Sequence, residues 1–231
     1  MKLKCLFFII AAGALFIFSS DALAAPCYGT YMPSKRKLTL GLEYNFVTER
    51  DLKHNNGRVK NPDQFLSLSY GLFDWLSIDL KAGAGKITYK DSEYGDQKFS
   101  TSFSGAYGFR LRLYDNKEKK IKVVGGFQHI SVHPRAVDVG AGKYSVVADE
   151  WQGSVLGSVG IKQITPYFGF KYGTYDLIRW VNSENRKRYK SEDNFGLVAG
   201  MDLAITQNLR LNTEFDFLDG QSASVSLNLD F

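Results

Sequence analysis

Residues 221–231, Q-S-A-S-V-S-L-N-L-D-F, constrain the fold more tightly than any other stretch of the chain. Ala223, Val225, Leu227, Leu229 and Phe231 share one phase, while Ser222, Ser224, Ser226, Asn228 and Asp230 share the other. A helical period would scatter both sets around an axis; a period of two separates them cleanly. The segment is therefore a strand with one oily and one wet face. An oily face has two ordinary covers: a second sheet in a sandwich, or the hydrocarbon around a closed barrel.

The same period recurs upstream. Leu38, Leu40, Leu42, Tyr44 and Phe46 alternate with Thr39, Gly41, Glu43 and Asn45. Leu66, Leu68, Tyr70 and Leu72 form a second oily face, and Leu76, Ile78, Leu80, Ala82 and Ala84 a third. Phe103, Tyr107, Phe109, Leu111 and Leu113 oppose Arg110 and Arg112 in a fourth segment. The fifth, 121–132, begins with Ile121, Val123 and Phe127 in phase and blurs after Gly125-Gly126, where a bulge is expected. Trp151, Val155, Val159 and Ile161 define a sixth, 167–175 a seventh with aromatics in both phases, and Phe195, Leu197, Ala199, Met201 and Leu203 an eighth. Leu209, Leu211, Phe215 and Phe217 define the ninth, and Asp219-Gly220 reads as a two-residue hairpin turn into the last.

The connections alternate. Polar, aperiodic stretches at 48–63 and 88–98, through Pro134, Gly140 and Gly142, and at 177–193 read as long loops, and the turns between them are short. Aromatics gather at strand ends, Phe46, Trp151, Phe195 and Phe217 at one and Tyr70, Trp75 and Phe231 at the other, as two interfacial girdles would require. The expectation is an all-β, antiparallel, up-and-down transmembrane β-barrel over residues 38–231, with about ten strands and eight possible. No later apolar run approaches the roughly 20 residues of a spanning helix.

The N-terminus reads as a signal peptide over residues 1–24. Lys2 and Lys4 precede the apolar run 6–18, and Ala22-Leu23-Ala24 supplies the small residues for a cut after Ala24. Residues 25–37, with Pro33 and the basic Lys35-Arg36-Lys37, read as a periplasmic lead-in. Cys5 leaves with the leader, so Cys27 has no partner for an intramolecular disulfide. The 29 Lys and Arg against 24 Asp and Glu make too mild an excess to suggest nucleic acid, and export argues against it further.

The terminal strand, with Leu227, Leu229 and Phe231, resembles that of Gram-negative outer-membrane β-barrel proteins. The resemblance implies residence in the cell outer membrane and reading of those three residues by the barrel assembly machinery. It further implies outer-membrane lipid and lipopolysaccharide as surroundings, with Arg186–Lys190 as a candidate contact for their phosphates. No ligand or oligomeric state follows from it.

Two sets of residues carry candidate chemistry. Glu43, Asp79, Lys81, Arg110, Arg112, Asp202, Arg210, Glu214 and Asp216 all oppose the oily faces, placing both signs of charge in a narrow lumen. A lumen of this width is closed by crossing ion pairs or left as a thin polar path. The expected function is thus non-enzymatic: a structural, surface-exposed protein or a narrow, porin-like pore. The second set is His129-Ile130-Ser131, in which hydroxyl and imidazole share a strand face, with Asp149 or Glu150 available to orient the ring. That His-x-Ser is similar to the motif of outer-membrane lipid A deacylases, and implies a serine hydrolase with His129, Ser131 and Glu150 or Asp149 as the alternative. No metal-ligand spacing or nucleotide motif occurs, so neither a metal nor a cofactor is expected.

Overall fold

The computed structural model describes residues 27–55, 57–91, 95–139 and 142–231, so the leader and the cut after Ala24 lie outside it. Among the described residues, fourteen antiparallel strands form one sheet: β1 Leu38–Asp51, β2 Arg58–Phe73, β3 Leu76–Gly85, β4 Thr88–Asp91, β5 Gly95–Lys98, β6 Ser102–Asn116, β7 Ile121–Val132, β8 Val137–Val139, β9 Gly142–Val159, β10 Ile164–Val181, β11 Glu184–Lys190, β12 Phe195–Ala204, β13 Leu209–Phe217 and β14 Gln221–Asp230. Ten of these make an up-and-down wall in the order β1, β2, β3, β6, β7, β9, β10, β12, β13, β14. The wall closes because β1 pairs β14 as well as β2, from Thr39 opposite Asp230 to Glu49 opposite Gln221. The fold is a closed ten-stranded antiparallel barrel.

Its exterior carries a continuous apolar band. Leu42, Leu66, Leu80, Phe109, Val155, Phe170 and Leu227 are all exposed, and so are the aromatics Phe46, Trp151 and Phe195 near one end and Tyr70, Trp75 and Phe231 near the other. Exposed apolar surface on this scale, closed into a ring and edged by aromatics, is covered by a bilayer. Closure also leaves no strand edge with unpaired backbone groups inside the hydrocarbon.

The four short strands continue the wall past this band. β4 pairs the start of β2, β5 folds back on β4, β8 pairs the start of β9, and β11 pairs the end of β10. The β13–β14 hairpin stops short, and above it β1 and the segment after β11 close the gap: Leu52 bridges Ser191, and the Glu192 amide donates to the Asp51 carbonyl at 3.1 Å.

In this extension the polarity of the wall reverses. Along β9 the inward positions read Tyr144, Val146 and Ala148 at the outer end, then Glu150, Gln152 and Ser154 within the band. Leu52, Val59, Ile87, Tyr89, Phe99, Val132, Tyr175 and Leu177 join the outer set in one buried apolar cluster. Water covers the outside here, so the inside must be oily; lower down, lipid covers the outside and the inside is polar.

Several sequence expectations change accordingly. The stretches 48–63, 88–98 and 177–193 and the one through Pro134 and Gly142 are not simply loops, because β1, β2, β4, β5, β8, β9, β10 and β11 occupy much of them. There is no bulge at Gly125-Gly126: β7 pairs β9 in unbroken register from Ile121 opposite Val159 to Val132 opposite Ala148. The phase blurs in sequence because Val124, Ile130 and Val132 are apolar and point inward. The last hairpin is a three-residue connection, 218–220, with Leu218 at φ 80° and the Asp219 carboxylate 3.8 Å from Lys171 Nζ.

If the band lies in hydrocarbon, Leu80→Arg, mid-strand and outward, is expected to destabilise the barrel by about 2–4 kcal/mol. Denaturant unfolding of the two proteins in phospholipid vesicles measures this. Equal stability would show that lipid does not cover this face.

Candidate functional site

The interior is built around a segment that the sequence places outside it. Residues 27–33, read as part of a periplasmic lead-in, lie within the lumen, with Cys27, Thr30 and Met32 buried. The segment enters at the end where the Lys35 amide donates to Asp74 Oδ1 at 3.0 Å and the Arg36 amide to the Gly71 carbonyl at 2.7 Å. Its inner end packs Cys27 against Leu156, Tyr167 and Val198, and the Cys27 amide donates to Glu214. The Tyr167 hydroxyl donates to the same carboxylate at 2.8 Å, its ring lying over Gly200, where any Cβ would collide with it.

Ion pairs between neighbouring and next-but-one strands hold this segment. Arg110 is the hub: its guanidinium donates to both Asp79 oxygens, to Ser69 Oγ at 3.1 Å, and to the backbone carbonyls of Tyr28 (2.9 Å) and Tyr31. Lys81 pairs with Glu43 at 2.8 Å, its ammonium 4.4 Å from the Tyr28 ring centre. Arg210 pairs with Asp230 at 3.0 Å and Asp202 at 3.6 Å, beneath the Tyr31 ring. Towards the outer end Lys171 sits 3.1 Å from Asp216, and Arg50 makes a two-point pair with Glu150, both contacts at 2.9 Å, against the Tyr175 ring. The Coulombic gain of such pairs largely offsets desolvation, but an unpartnered member would cost several kcal/mol.

Of the charges assigned to the lumen from sequence, Glu43, Asp79, Lys81, Arg110, Asp202, Arg210, Glu214 and Asp216 lie in this network. Arg112 does not: it sits near the turn after β6, 3.4 Å from Asp115, and pairs along its own strand. Sequence reasoning missed Arg50, Lys171, Asp219 and Asp230, and the ring-bearing segment they surround. Lys171 was legible in principle, since the Phe168, Phe170 and Tyr172 phase is the lipid-facing one.

Cys27 Sγ and the Glu214 and Asp216 carboxylates lie within 4.8 Å of one another, the one grouping among the described residues with metal-like spacing. Its carboxylates are already engaged, Glu214 by the Cys27 amide and the Tyr167 hydroxyl, Asp216 by Lys171 and Ser222.

The second candidate set lies outside the barrel, at the upper edge of the apolar band. His129 Nε2 is 2.6 Å from Asp149 Oδ1, with its ring between Tyr107 and Trp151 at 5.0 and 4.0 Å. Ser131 Oγ is 2.8 Å from Nε2 of His133, not of His129. Glu150 is on the opposite face of β9 and is committed to Arg50, because adjacent strand residues alternate sides. The triad of the alternative reading is thus divided: an acid–imidazole pair, and beside it a hydroxyl–imidazole pair.

Sequence comparison matches no family model and no curated protein. Solved structures do resemble the chain. The translocator domain of the autotransporter NalP from Neisseria meningitidis is 11% identical, with a TM-score of 0.49 over all of this chain and 95% of that one. An outer-membrane channel from Pseudomonas putida F1 is 9% identical, with a TM-score of 0.46 over 90% of this chain and all of that one. The outer-membrane protease OmpT from Escherichia coli is 10% identical, with a TM-score of 0.44 over 88% and 99%. The likeness is one of fold. No activity crosses at such identities.

Asp219, in the last hairpin, has a titration that reports on its surroundings. Burial pushes its carboxyl up to about 6, against the pull of Lys171 and Arg50. Between its ordinary value near 3.8 and that value, the folded chain holds a proton that the unfolded chain releases. The favourable contribution is therefore present below about pH 4 and lost as pH rises through 6. Relative to Asp219→Asn, the wild type is expected to lose about 1–3 kcal/mol between pH 4 and 7.5 in urea unfolding from micelles. Parallel pH profiles for the two proteins would contradict this.

Proposed function

We propose that the protein is an integral outer-membrane protein that acts as a sealed, surface-exposed barrel, without catalysis and without a pore. The observation that carries this reading is the double closure of the lumen, by residues 27–33 from within and by the apolar cluster across the outer end. A solute path would have to part the Arg110 hub and then cross an oily core. In this reading residues 1–24 direct export. The outward Leu227 and Leu229 of β14, the strand that closes the seam, and Phe231 just after it are what the barrel assembly machinery reads.

Planar-bilayer recording tests it. The wild type is expected to show no steady channel, and deletion of residues 27–33 alone is expected to leave the outer core closing the path. Deletion combined with Val146→Gly, Tyr175→Gly and Leu177→Gly should open a conductance. Steady channels from the wild type would establish a pore instead.

The Ser131–His133 contact supports a second reading, a hydrolase acting on a lipid ester at the level of the headgroups. Ser131 would attack the carbonyl carbon, His133 would take the hydroxyl proton and return it to the leaving alkoxide, and the His129–Asp149 pair would stand alongside. On the preferred reading, lipid A from cells expressing wild type, Ser131→Ala or His133→Ala carries the same acyl chains. Loss of an ester-linked chain with wild type and His129→Ala, but not with Ser131→Ala or His133→Ala, would establish the hydrolase with His133 as its base.

A further inference from the structure

Asp63 points inward from β2 and is 1% exposed, yet among the described residues no cation pairs with it. Two cations of the same stretch of wall are already committed, Lys81 to Glu43 at 2.8 Å and Arg50 to Glu150 at 2.9 Å. Asp63 Oδ2 accepts from Asn61 Nδ2 at 2.9 Å, and Oδ1 has no hydrogen-bond partner. A buried carboxylate in that state is expensive unless something supplies positive charge. Asp63 lines a buried cavity of about 20 Å³, room for one water-sized occupant. Asn45, opposite Asp63 on β1, and Asn61, two residues before it on the same face of β2, line the same cavity. They are 1% and 6% exposed, and each has an unpartnered Oδ1. The Tyr175 hydroxyl, also unpartnered, is the fourth such oxygen around this space.

The wall is shaped to leave the space. Gly85 stands opposite Asp63 on β3, and a Cβ there would lie 1.8 Å from Asp63 Oδ1 and 2.9 Å from Val132 Cγ1. The carboxylate thus leans across the neighbouring strand, over the one residue type that admits it. Val59, Ile130, Val132 and Ala148 of the apolar cluster border the cavity and keep bulk water from it. Three occupants answer the chemistry to different degrees. A water donates two hydrogens and leaves the charge. A proton cancels the charge and serves one neighbouring acceptor. A cation cancels the charge and draws on all the oxygens at once, since a carboxylate and amide carbonyls are the ligands that hard cations take. The lining also selects among cations. Asp63 and Glu150 against Arg50 leave one net negative charge, which a monovalent ion balances. Magnesium keeps several of its waters, for which there is no room, and calcium seeks about six to eight oxygens.

We propose that this cavity binds one monovalent cation of the sodium class, held by the Asp63 carboxylate and the amide oxygens of Asn45 and Asn61, with the Tyr175 hydroxyl oxygen beside them. The ion joins β1, β2 and β10 at the level where the polar lumen gives way to the apolar cluster. It is taken up as the barrel folds, because the site exists only when β1 and β2 are paired in their native register.

The test is urea unfolding and refolding of the full-length protein in detergent micelles, which lets the ion equilibrate with a buried site. Sodium chloride is exchanged for tetramethylammonium chloride at constant ionic strength, so that general screening stays fixed. The wild-type unfolding equilibrium constant is expected to fall about tenfold for each tenfold rise in sodium above the dissociation constant, the signature of one ion bound by the folded chain alone. Asp63→Asn, which removes the charge and keeps the shape, is expected to fold and to lose this dependence. Asn45→Ala, which keeps the carboxylate, is expected to need on the order of tenfold more sodium for the same effect, the scale of one lost contact to a charge. Glu118→Gln, at an exposed turn, is expected to follow the wild type. A wild type indifferent to sodium, as a water or a proton at Asp63 would give, overturns the proposal, and so does an unchanged sodium dependence in either cavity variant. Calcium chloride replacing sodium at far lower concentration would overturn the monovalent assignment. If Asp63→Asn does not refold, the presence or absence of the Asn45→Ala shift decides.

Discussion

The seam between β1 and β14 is the contact on which the rest depends. In hydrocarbon an unpaired backbone amide or carbonyl has no water to turn to, so a sheet of this kind is stable only as a ring. Once Thr39 meets Asp230 and Leu42 meets Leu227, the circumference is set, and with it which side chains face each other across the lumen. Ten strands leave more room than wall side chains alone would fill. The chain fills the remainder with its own residues 27–33, whose carbonyls supply acceptors for Arg110 and whose rings cover Lys81 and Arg210.

The interior is consequently mixed rather than uniformly polar. Arg110, Lys171 and Arg50 mark successive levels at which a cation meets acids from neighbouring or facing strands, and the outermost pair abuts Tyr175 at the base of the apolar cluster. Each cation also touches an element that it does not belong to. Arg110 joins β6 to β3, β2 and the inserted segment; Lys171 joins β10 to β13 and the last hairpin; Arg50 joins β1 to β9. Contacts of this type add little net energy, but they penalise every arrangement that leaves one partner alone.

Most of the membrane wall was legible because alternation against lipid is strict: β3 shows it throughout, and β14 from Ser222 onward. Reading failed where the solvent outside the wall changes. On β9 the oily phase moves from Trp151 and Val155 outward to Tyr144 and Val146 inward, and a rule that equates oily with outward sees only noise there. The charged residues of β11 compounded this, since a strand with one wet face in water and one residue, Tyr189, in the core resembles a loop. Tyr167 and Tyr175 obscured β10 because an inward tyrosine and an outward phenylalanine look alike in sequence. For the candidate site, alternation separated Asp149 from Glu150 correctly in principle. The choice of His133 over His129 as the partner of Ser131 depends on side-chain direction, which spacing does not encode.

The reversal of polarity along the wall also bears on how the correct pairing is recognised. Sliding one membrane strand by two residues keeps every leucine against lipid, so the bilayer is nearly indifferent to such an error. The inside is not. A two-residue slip of β10 would carry Lys171 away from Asp216 and Tyr175 away from Arg50, and would drag Leu177 out of its place among the apolar residues of the extension. The lipid-facing surface therefore says only that this is a barrel; the record of which residue belongs opposite which is kept in the lumen and in the extension above it.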